Sequence, residues 1–263
     1  MVNLKDEINA FIKDYVKSYK SHAQVSSDWG EPVVAFADAN DSLFLKLEEV
    51  VTPDHYLPSD LLADARTVIS YFIPFGKEIV LSNAKGKCAS KQWAKSYAET
   101  NQLIIDLNKA LSELLEKKSF KAASTLPTHN FDKEKFVSRW SQKHVAYVAG
   151  LGKFGVHRMI ITERGCCGRL GSLVTNAKIV PTVRVETEFC LYKIDGSCGI
   201  CITKCSLKVL KPDALNKKAC YEECLRNASK YAELGLTDVC GKCVVNVPCS
   251  FVNPSTTCLP LKY

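Results

Sequence analysis

The chain has 263 residues, of which 46% are hydrophobic, and a formal charge of +7 at pH 7. That length suits one sizeable core with a small appended module, and the composition excludes a disordered chain. No apolar run approaches the roughly 18 residues that a membrane span needs, and the N-terminus shows no secretory or twin-arginine signal. The lysines form no run of five or six, so charge alone does not indicate a nucleic-acid partner. We expect a cytoplasmic protein without membrane contact.

Helices and strands are both predicted before the cysteine-rich end of the chain. Helical spacing of apolar residues predicts helices over 3–20, 91–118 and 136–149. Gly150 would end the third helix. Short apolar runs between turn residues predict strands over 30–37, 67–73, 158–162 and 172–175. The glycine-rich stretch 163–171 connects the last two strands, and residues 206–235 are predicted as a helical insertion.

Eight of the 13 cysteines have the spacing of a two-cluster iron–sulfur module. They lie between residues 190 and 249, and they are Cys190, Cys198, Cys201, Cys205, Cys220, Cys240, Cys243 and Cys249. Each [4Fe–4S] cluster usually takes four thiolates, and in two-cluster ferredoxins the last cysteine of one run ligates the other cluster. Eight thiolates therefore predict two [4Fe–4S] clusters and a redox role.

Zinc and disulfides are the alternative interpretations of these cysteines. A pair of CxxC motifs is also the zinc-ribbon pattern, but zinc would use only four of the eight thiolates. Disulfides are typical of secreted chains, and no secretory signal is visible. Two clusters with their thiolates would lower the formal charge from +7 to about +3. The remaining positive charge has two interpretations. It could form a basic face that binds an RNA substrate or an acidic electron donor, or it could simply reflect solvated lysines.

The eight predicted ligands are divided between the two clusters in the crossed arrangement of two-cluster ferredoxins. One would be held by Cys190, Cys198, Cys201 and Cys249, and the other by Cys205, Cys220, Cys240 and Cys243. Cys224 follows Cys220 by one helical turn, so either of these two thiols could be the ligand. Cys166 could face a substrate or cofactor, or it could be an inert small hydrophobe, as could Cys167. Cys88 and Cys258 are predicted to be plain thiols.

A glycine motif, Gly150-Leu-Gly152-Lys-Phe-Gly155, follows the third predicted helix. It matches GxGxxG, but a dinucleotide-binding fingerprint follows a strand and opens a helix, whereas this one closes a helix and leads into a strand. Three glycines in six residues suggest that the backbone approaches something large. We predict a cofactor-binding site that comprises Gly150, Gly152, Gly155, Ser172 and Thr175.

Two segments of this chain resemble a known family. The first is Trp140-Ser-Gln-Lys-His-Val-Ala-Tyr-Val-Ala-Gly-Leu-Gly-Lys-Phe-Gly155, which resembles the AGLGxxG segment of epoxyqueuosine reductases. The second, from Leu57 to Pro74, is similar to their LLPGAKSVIVxxLP strand. The cysteines follow in the same order, which corrinoid-dependent reductive dehalogenases share. The match is closest to a short subgroup found in anaerobes, whose members carry WSxKHxAYxAGLGxFG, ITEKGCxGRxGSxVT and CGxCxxGVPC.

The resemblance implies both fold and cofactors. The expected fold is an α/β (α+β) N-terminal domain over residues 1–187, nitroreductase-like or corrinoid-reductase-like. A ferredoxin-like C-terminal domain over residues 188–263 would carry the two [4Fe–4S] clusters. Cobalamin is the further cofactor that the resemblance implies for the N-terminal domain, and a low-potential donor such as ferredoxin or flavodoxin would supply electrons.

Three departures from the family bear on the substrate. Asp132 lies in a displaced register without the proline that accompanies the family's proton-donating aspartate. No segment matches the helical-repeat domain that helps those reductases to grip transfer RNA. The cysteine runs also lack the CxxCxxCxxxCP form. We therefore expect a small-molecule substrate and no strong nucleic-acid binding.

The helix that leads into Gly150 carries the candidate catalytic residues. His144, Tyr147 and Arg139 could supply a proton to a reduced substrate, and Lys143 adds positive charge beside them. The alternative is a solvated basic face with Tyr147 half-buried. We predict an iron–sulfur reductase that passes electrons to a substrate or corrinoid in the N-terminal domain. The alternative function is an electron-transfer or corrinoid-handling protein without its own substrate.

Overall fold

The computed structural model describes residues 3–127 and 131–257. The longer elements of the N-terminal part are α1 (Leu4–His22), β1 (Val33–Asp38), β2 (Thr67–Pro74), α5 (Lys91–Glu116), α6 (Gln142–Val148) and β8 (Gly168–Thr175). The shorter ones are α2 (Leu47–Val50), α3 (Pro58–Leu61), α4 (Lys77–Ser82), β3 (Ala122–Ala123), β4 (Phe131–Asp132), β5 (Val137–Ser138), β6 (Lys153–Phe154) and β7 (Ile160–Ile161).

Four antiparallel strands form the central sheet, in the order β1-β2-β8-β3. All eight residues of β2 are buried, because helices and loops cover both of its faces. Ile69 and Tyr71 point towards α1 and α5, and Val68 and Phe72 point towards α6. This alternation is the two-residue period of a strand, and the continuous apolar run of β2 reflects burial on both sides.

Each face of the sheet has its own apolar core. On one face, α1 and α5 pack side by side, and Ile8, Ile12, Leu107 and Leu111 are fully buried there. On the other face, Trp140 and the apolar side of α6 pack against β2 and β8. The sheet with its two helical layers confirms the expected mixed α/β class.

A third core lies beyond the end of β2 and joins the two parts of the chain. Phe75, Trp93 and Ile161 of the N-terminal part pack there against Cys201 and Val245 of the cysteine-rich part. The elements of that second part are α7 (Leu191–Asp195), α8 (Ile200–Lys204), α9 (Lys217–Lys230), a 3₁₀ turn (Ala232–Leu234) and α10 (Pro254–Thr257). The boundary between residues 187 and 188 stays a prediction.

Several predicted elements agree with the structure and others are shorter or longer. The helices over 3–20 and 91–118 and the strand over 67–73 are confirmed. The strand predicted over 158–162 is shorter in the structure, where it is β7. The strand predicted over 172–175 begins earlier, at Gly168. The insertion over 206–235 is helical only from Lys217 onwards.

The helix predicted over 136–149 is wrong in its first part. Residues 131–138 form a two-stranded hairpin, in which Phe131 pairs with Ser138, and Phe136 has φ +54° in its turn. The rings of Phe131 and Phe136 pack against Tyr221 of α9. The apolar residues that suggested a longer helix are therefore used in a tertiary contact. Among the helices of the described residues, none is long and apolar enough to cross a membrane.

Candidate metal centre and its surroundings

Four of the predicted ligands surround one small apolar cavity. Cys190, Cys198, Cys201 and Cys249 line it, and its volume is about 20 Å³. Cys190 precedes α7, Cys198 and Cys201 lie at the start of α8, and Cys249 comes from the loop before α10. Three separate segments therefore bring these thiols together.

The other four predicted ligands form a second group. Burial and then the negative charges of Cys240, Cys220 and Cys205 raise the pKa of Cys243, and Cys201 of the first group acts in the same direction. Burial also raises the pKa of Cys240 to about 11. Cys224 hydrogen-bonds to Cys220 across one turn of α9 and lowers the pKa of the Cys220 thiol to about 7. The choice between Cys220 and Cys224 as the ligand stays a prediction.

The donor chemistry fits metal clusters. Burial, and then the nearby thiols of Cys249, Cys190 and Cys198, raise the pKa of Cys201 to about 12. Several thiolates this close and this buried need positive charge to be stable together, and iron or zinc provides it. No disulfide joins the cysteines among residues 3–127 and 131–257.

A buried N–H group beside the second group also lacks a partner. The indole Nε1 of Trp93 is buried and has no hydrogen-bond acceptor in the described part of the chain. The ring lies directly on Gly241, where an added Cβ would come within 2.7 Å of that nitrogen. Gly241 stands between Cys240 and Cys243. Sulfur atoms in this loop are acceptors of the kind that an orphaned indole N–H lacks.

The loop from Cys240 to Cys243 is held by the chain between α4 and α5. Asn83 donates its side-chain amide to the carbonyl oxygen of Cys240 at 2.9 Å. The ammonium group of Lys242 donates to the carbonyl oxygens of Asn83 and Lys85, at 2.8 and 2.7 Å. Burial lowers the pKa of Lys242. These bonds fix the position of the second thiol group on the N-terminal part.

The segment around Cys249 is held by the turn that precedes β8. The backbone N–H of Cys166 donates to the carbonyl oxygen of Cys249 at 2.9 Å, and that of Cys167 donates to Ser250. Gly165 has φ +76°, and a Cβ there would lie 2.5 Å from backbone atoms of Ser250 and Phe251. The glycine is needed both for its conformation and for this close approach.

Cys166 and Cys167 are buried beside the first thiol group. Cys166 Sγ lies 4.0 Å from Cys249 Sγ, and Cys167 Sγ donates to the carbonyl oxygen of Val244. Burial raises the pKa of Cys166 well above its ordinary value, so it is a neutral thiol without a metal. Cys88 is exposed, and Cys258 lies outside the described residues.

The sequence interpretation missed His157, which lines the cavity of the first group. Its Nε2 lies 3.3 Å from Cys249 Sγ, and its Nδ1 lies 3.1 Å from the backbone N–H of Met159. Nε2, Cys166 Sγ and Cys249 Sγ all lie within 4.8 Å of one another. Gly155, the last glycine of the GxGxxG motif, is the local signal, since it leaves room for this ring.

The three glycines of that motif are packed against the protein itself. A Cβ on Gly152 would clash with the carbonyl oxygen of Ile161, and one on Gly155 would lie 2.7 Å from the ring of His157. Gly150 ends α6 with φ +80° and lies against Arg184. Close internal packing accounts for these glycines, and the prediction that they also contact a cofactor stays a prediction.

Ser172 and Thr175, the other two predicted cofactor residues, are buried in β8. The Ser172 hydroxyl accepts a hydrogen bond from the indole of Trp140 at 2.9 Å, and the Thr175 hydroxyl donates to the carbonyl oxygen of Lys121 at 2.7 Å. Both hydroxyls are used within the sheet unit. Their contact with a cofactor therefore stays a prediction as well.

The structure brings two of the three predicted catalytic residues together. His144 and Tyr147 both lie against the ring of Phe154, at centroid distances of 4.9 and 5.9 Å. Burial, and then the charge of Lys143, lowers the pKa of His144 to about 4. Arg139 lies before the helix and pairs with Asp54 at 2.7 Å. At neutral pH the His144 ring is uncharged, so it is not an imidazolium proton donor.

Lys143 links this helix to the second thiol group. It donates from Nζ to the carbonyl oxygen of Arg158 at 3.2 Å. Burial lowers its pKa, and the thiols of Cys220 and Cys243 act in the opposite direction. The face of α6 that carries Lys143 therefore lies near the predicted second cluster.

Comparison with known proteins places the fold. No family model matches the chain, and no curated protein sequence matches it. Solved structures do match, and the chain has the fold of one class of reductase. These structures are epoxyqueuosine reductases, among them those of Streptococcus thermophilus (TM-score 0.53, 20% identity) and Bacillus subtilis (TM-score 0.57, 19% identity).

The matches cover 93% and 94% of this chain, and 69% and 65% of those two. A third structure, of an epoxyqueuosine reductase with an epoxyqueuosine-modified stem loop of a tyrosine transfer RNA, has a TM-score of 0.58 at 20% identity. The match with this third structure covers 91% of the present chain and 63% of the other chain. The chain thus spans about two thirds of the length of these relatives. At such identities the likeness confirms a mixed α/β fold like that of epoxyqueuosine reductases. The ferredoxin-like C-terminal domain and its two clusters stay predictions, and activity and substrate are matters for proposal.

Proposed function

We propose that the protein is an iron–sulfur reductase that carries electrons through two [4Fe–4S] clusters to a substrate or corrinoid bound by the N-terminal part. The observation that carries the proposal is the gathering of the eight predicted cysteines into two groups of four thiols. Four of them line one cavity, and the charges of Cys240, Cys220 and Cys205 act on the fourth thiol of the second group, Cys243. Each group has the ligand number of one cluster.

The chain's own residues give these clusters a buried and ordered environment. Bound clusters supply one-electron transfer. Phe75 and Trp93 pack edge to face, with centroids 5.0 Å apart, and exclude water from the core that both groups share. Asn83 and Lys242 hold the second thiol group on the N-terminal part. Electrons therefore have a short protein path from the cysteine-rich part towards α6.

The proposed substrate site lies beside α6 and the turn that ends at Gly155. Phe154 gives it an apolar wall, and His144 and Tyr147 line that wall. Tyr147 is the proposed proton donor, because the pKa of His144 is about 4 and its ring is uncharged at neutral pH. A small molecule is the predicted substrate, with ferredoxin or flavodoxin as the electron donor.

A modified nucleoside of transfer RNA is the second candidate substrate. One observation favours it, since a structure with the same fold holds an epoxyqueuosine-modified stem loop. The formal charge of +7 is compatible with an RNA partner. The departures around Asp132 favour the small molecule instead.

Metal analysis of anaerobically purified protein tests the proposed clusters. We expect about eight iron atoms per chain, with Mössbauer spectra of [4Fe–4S] centres. The Cys243→Ser variant should lose about half of the iron, whereas the exposed Cys88→Ser variant should keep all of it. Stoichiometric zinc without iron would contradict the proposal.

Two binding experiments separate the functions. Cobalamin titration under reducing conditions should show a complex if the protein handles a corrinoid, and a carrier without a substrate should show none. A stem loop that contains epoxyqueuosine should bind weakly, with little dependence on salt. Submicromolar binding that falls steeply with salt, together with formation of queuosine, would replace the small molecule with transfer RNA.

A further inference from the structure

His157 makes a hydrogen bond to a predicted cluster ligand that its position in the sequence does not suggest. Its Nε2 lies 3.3 Å from Cys249 Sγ, and the residue is 4% exposed. The ring belongs to the N-terminal part, in the turn between β6 and β7, whereas Cys249 belongs to the cysteine-rich part. The contact therefore connects the two parts at the wall of the first cavity.

The backbone determines which ring nitrogen carries the proton. The N–H of Met159 donates to Nδ1 at 3.1 Å. A nitrogen that accepts a hydrogen bond is unprotonated, so the neutral imidazole carries its hydrogen on Nε2. Nε2–H is then the donor and the Cys249 sulfur is the acceptor. This direction follows from the geometry of the turn.

Gly155 leaves the space in which the ring lies. A Cβ at residue 155 would come 2.7 Å from both Cε1 and Nε2 of His157 and 3.1 Å from Ile161 Cδ1. The Gly155 N–H donates to the Met159 carbonyl oxygen at 2.9 Å, which closes the turn. The last glycine of the GxGxxG motif therefore positions an imidazole donor.

We propose that His157 is a positioning residue that donates an Nε2–H hydrogen bond to the Cys249 thiolate and raises the reduction potential of the cluster held by Cys190, Cys198, Cys201 and Cys249. The inference rests on the proposed function, because it requires that cluster. Hydrogen bonds to the ligating sulfurs stabilise the more negative, reduced state of an iron–sulfur cluster. The bond distinguishes the first cluster from the second, because Cys249 is a predicted ligand of the first cluster alone.

Three variants of His157 separate the hydrogen bond from the volume of the side chain. His157→Gln keeps an N–H donor near the place of Nε2, and His157→Asn carries its amide near the place of Nδ1, too short to reach Cys249. His157→Leu removes both nitrogens. His55→Gln is the control for a buried histidine, because His55 accepts from Ser141 and contacts Trp140, away from the thiols.

The experiment is an anaerobic potentiometric titration of the full chain with its clusters, followed by electron paramagnetic resonance. We expect His157→Leu and His157→Asn to shift one cluster to a more negative potential and leave the other unchanged. His157→Gln and His55→Gln should keep both potentials. Labelling with ¹⁵N-histidine should give a weak nitrogen coupling to one reduced cluster, and His157→Leu should abolish it.

The outcomes also distinguish this inference from the proposed function. Absence of iron from the unaltered protein overturns both. Eight irons with equal potentials in the unaltered protein, His157→Leu and His157→Asn overturn the inference alone. Loss of four irons from every His157 variant, with full iron in Cys249→Ser, makes His157 a ligand and overturns the hydrogen bond. If only His157→Leu loses iron, the potentials of His157→Gln and His157→Asn test the hydrogen bond: a negative shift in His157→Asn alone supports it, and equal potentials overturn it.

Discussion

The sheet unit and the cysteine-rich part are stabilised in different ways. The sheet unit has an eight-residue strand buried on both faces and a helix of 26 residues with a continuous apolar stripe. The cysteine-rich part has helices of five residues at two of its thiol-bearing segments, and its apolar core is shared with the sheet unit. Repeated apolar packing stabilises the first region, whereas docking and metal ligation are expected to stabilise the second.

Removing the metal should give the largest effect. Anaerobic chelation of the proposed iron should unfold residues 188–257 and leave the sheet unit folded, because the buried thiols lose the cation that compensates their charge. Hydrogen exchange followed by mass spectrometry should show lost protection in α8 and α9 and retained protection in β2 and α5. Equal loss of protection in both regions would mean that they form a single cooperative unit.

A cavity in the sheet unit should destabilise that unit and leave the metal content of the cysteine-rich part unchanged. Leu107→Ala removes a fully buried side chain from the core between α5 and the sheet, and we expect a loss of about 2–5 kcal/mol in the free energy of unfolding. Urea unfolding measures it, with the exposed Lys109→Ala on the same helix as control. Iron content should stay unchanged, and a loss of iron would show that the two regions are more tightly coupled than we infer.

A glycine pair tests the contact between the regions. Gly165→Ala places a Cβ against backbone atoms of Ser250 and Phe251, whereas Gly196 has nearly the same φ and no atom within 4 Å of its Cβ position. We expect Gly165→Ala and Gly196→Ala each to lower the free energy of unfolding by about 1 kcal/mol, because alanine is strained in the left-handed backbone conformation. The clash should cost Gly165→Ala about 1–3 kcal/mol more. Iron analysis should show loss from the cluster of Cys249 in Gly165→Ala only, and equal iron in both variants would contradict the assignment of Cys249.

The smallest expected effect concerns the pH dependence of stability. The pKa of His144 is lowered to about 4 by burial and by Lys143, so the unfolded chain binds this proton at higher pH than the folded one. Its contribution to stability is complete above about pH 6.5 and is lost as the pH falls towards 4. We expect His144→Gln to reduce that loss by roughly 1–2 kcal/mol in unfolding experiments at pH 7 and pH 5. Identical pH profiles would show that the imidazole is solvated.

The predictability of each region follows from the range of the interactions that form it. The apolar stripe of α5 and the run of β2 are local patterns, and both elements lie where they were predicted. The prediction of a helix over 136–149 was wrong in its first part because Phe136 packs on Tyr221, which is a contact between distant segments. Similarly, the spacing of Cys198 and Cys201 is local, whereas His157 carries no pattern that could distinguish a donor from an ordinary buried histidine.

The sequence by itself determined the mixed α/β class, the main helix and strands, and the set of thiols available for metal, because periodicity and short spacings act within a few turns of chain. Only the tertiary structure decided which thiols are neighbours, since Cys190 and Cys249 meet through the docking of separate loops. It also decided that Gly155, the last glycine of the motif, leaves room for the His157 ring. Burial, close packing and the direction of a hydrogen bond depend on atoms from distant segments, and no local pattern of residues encodes them.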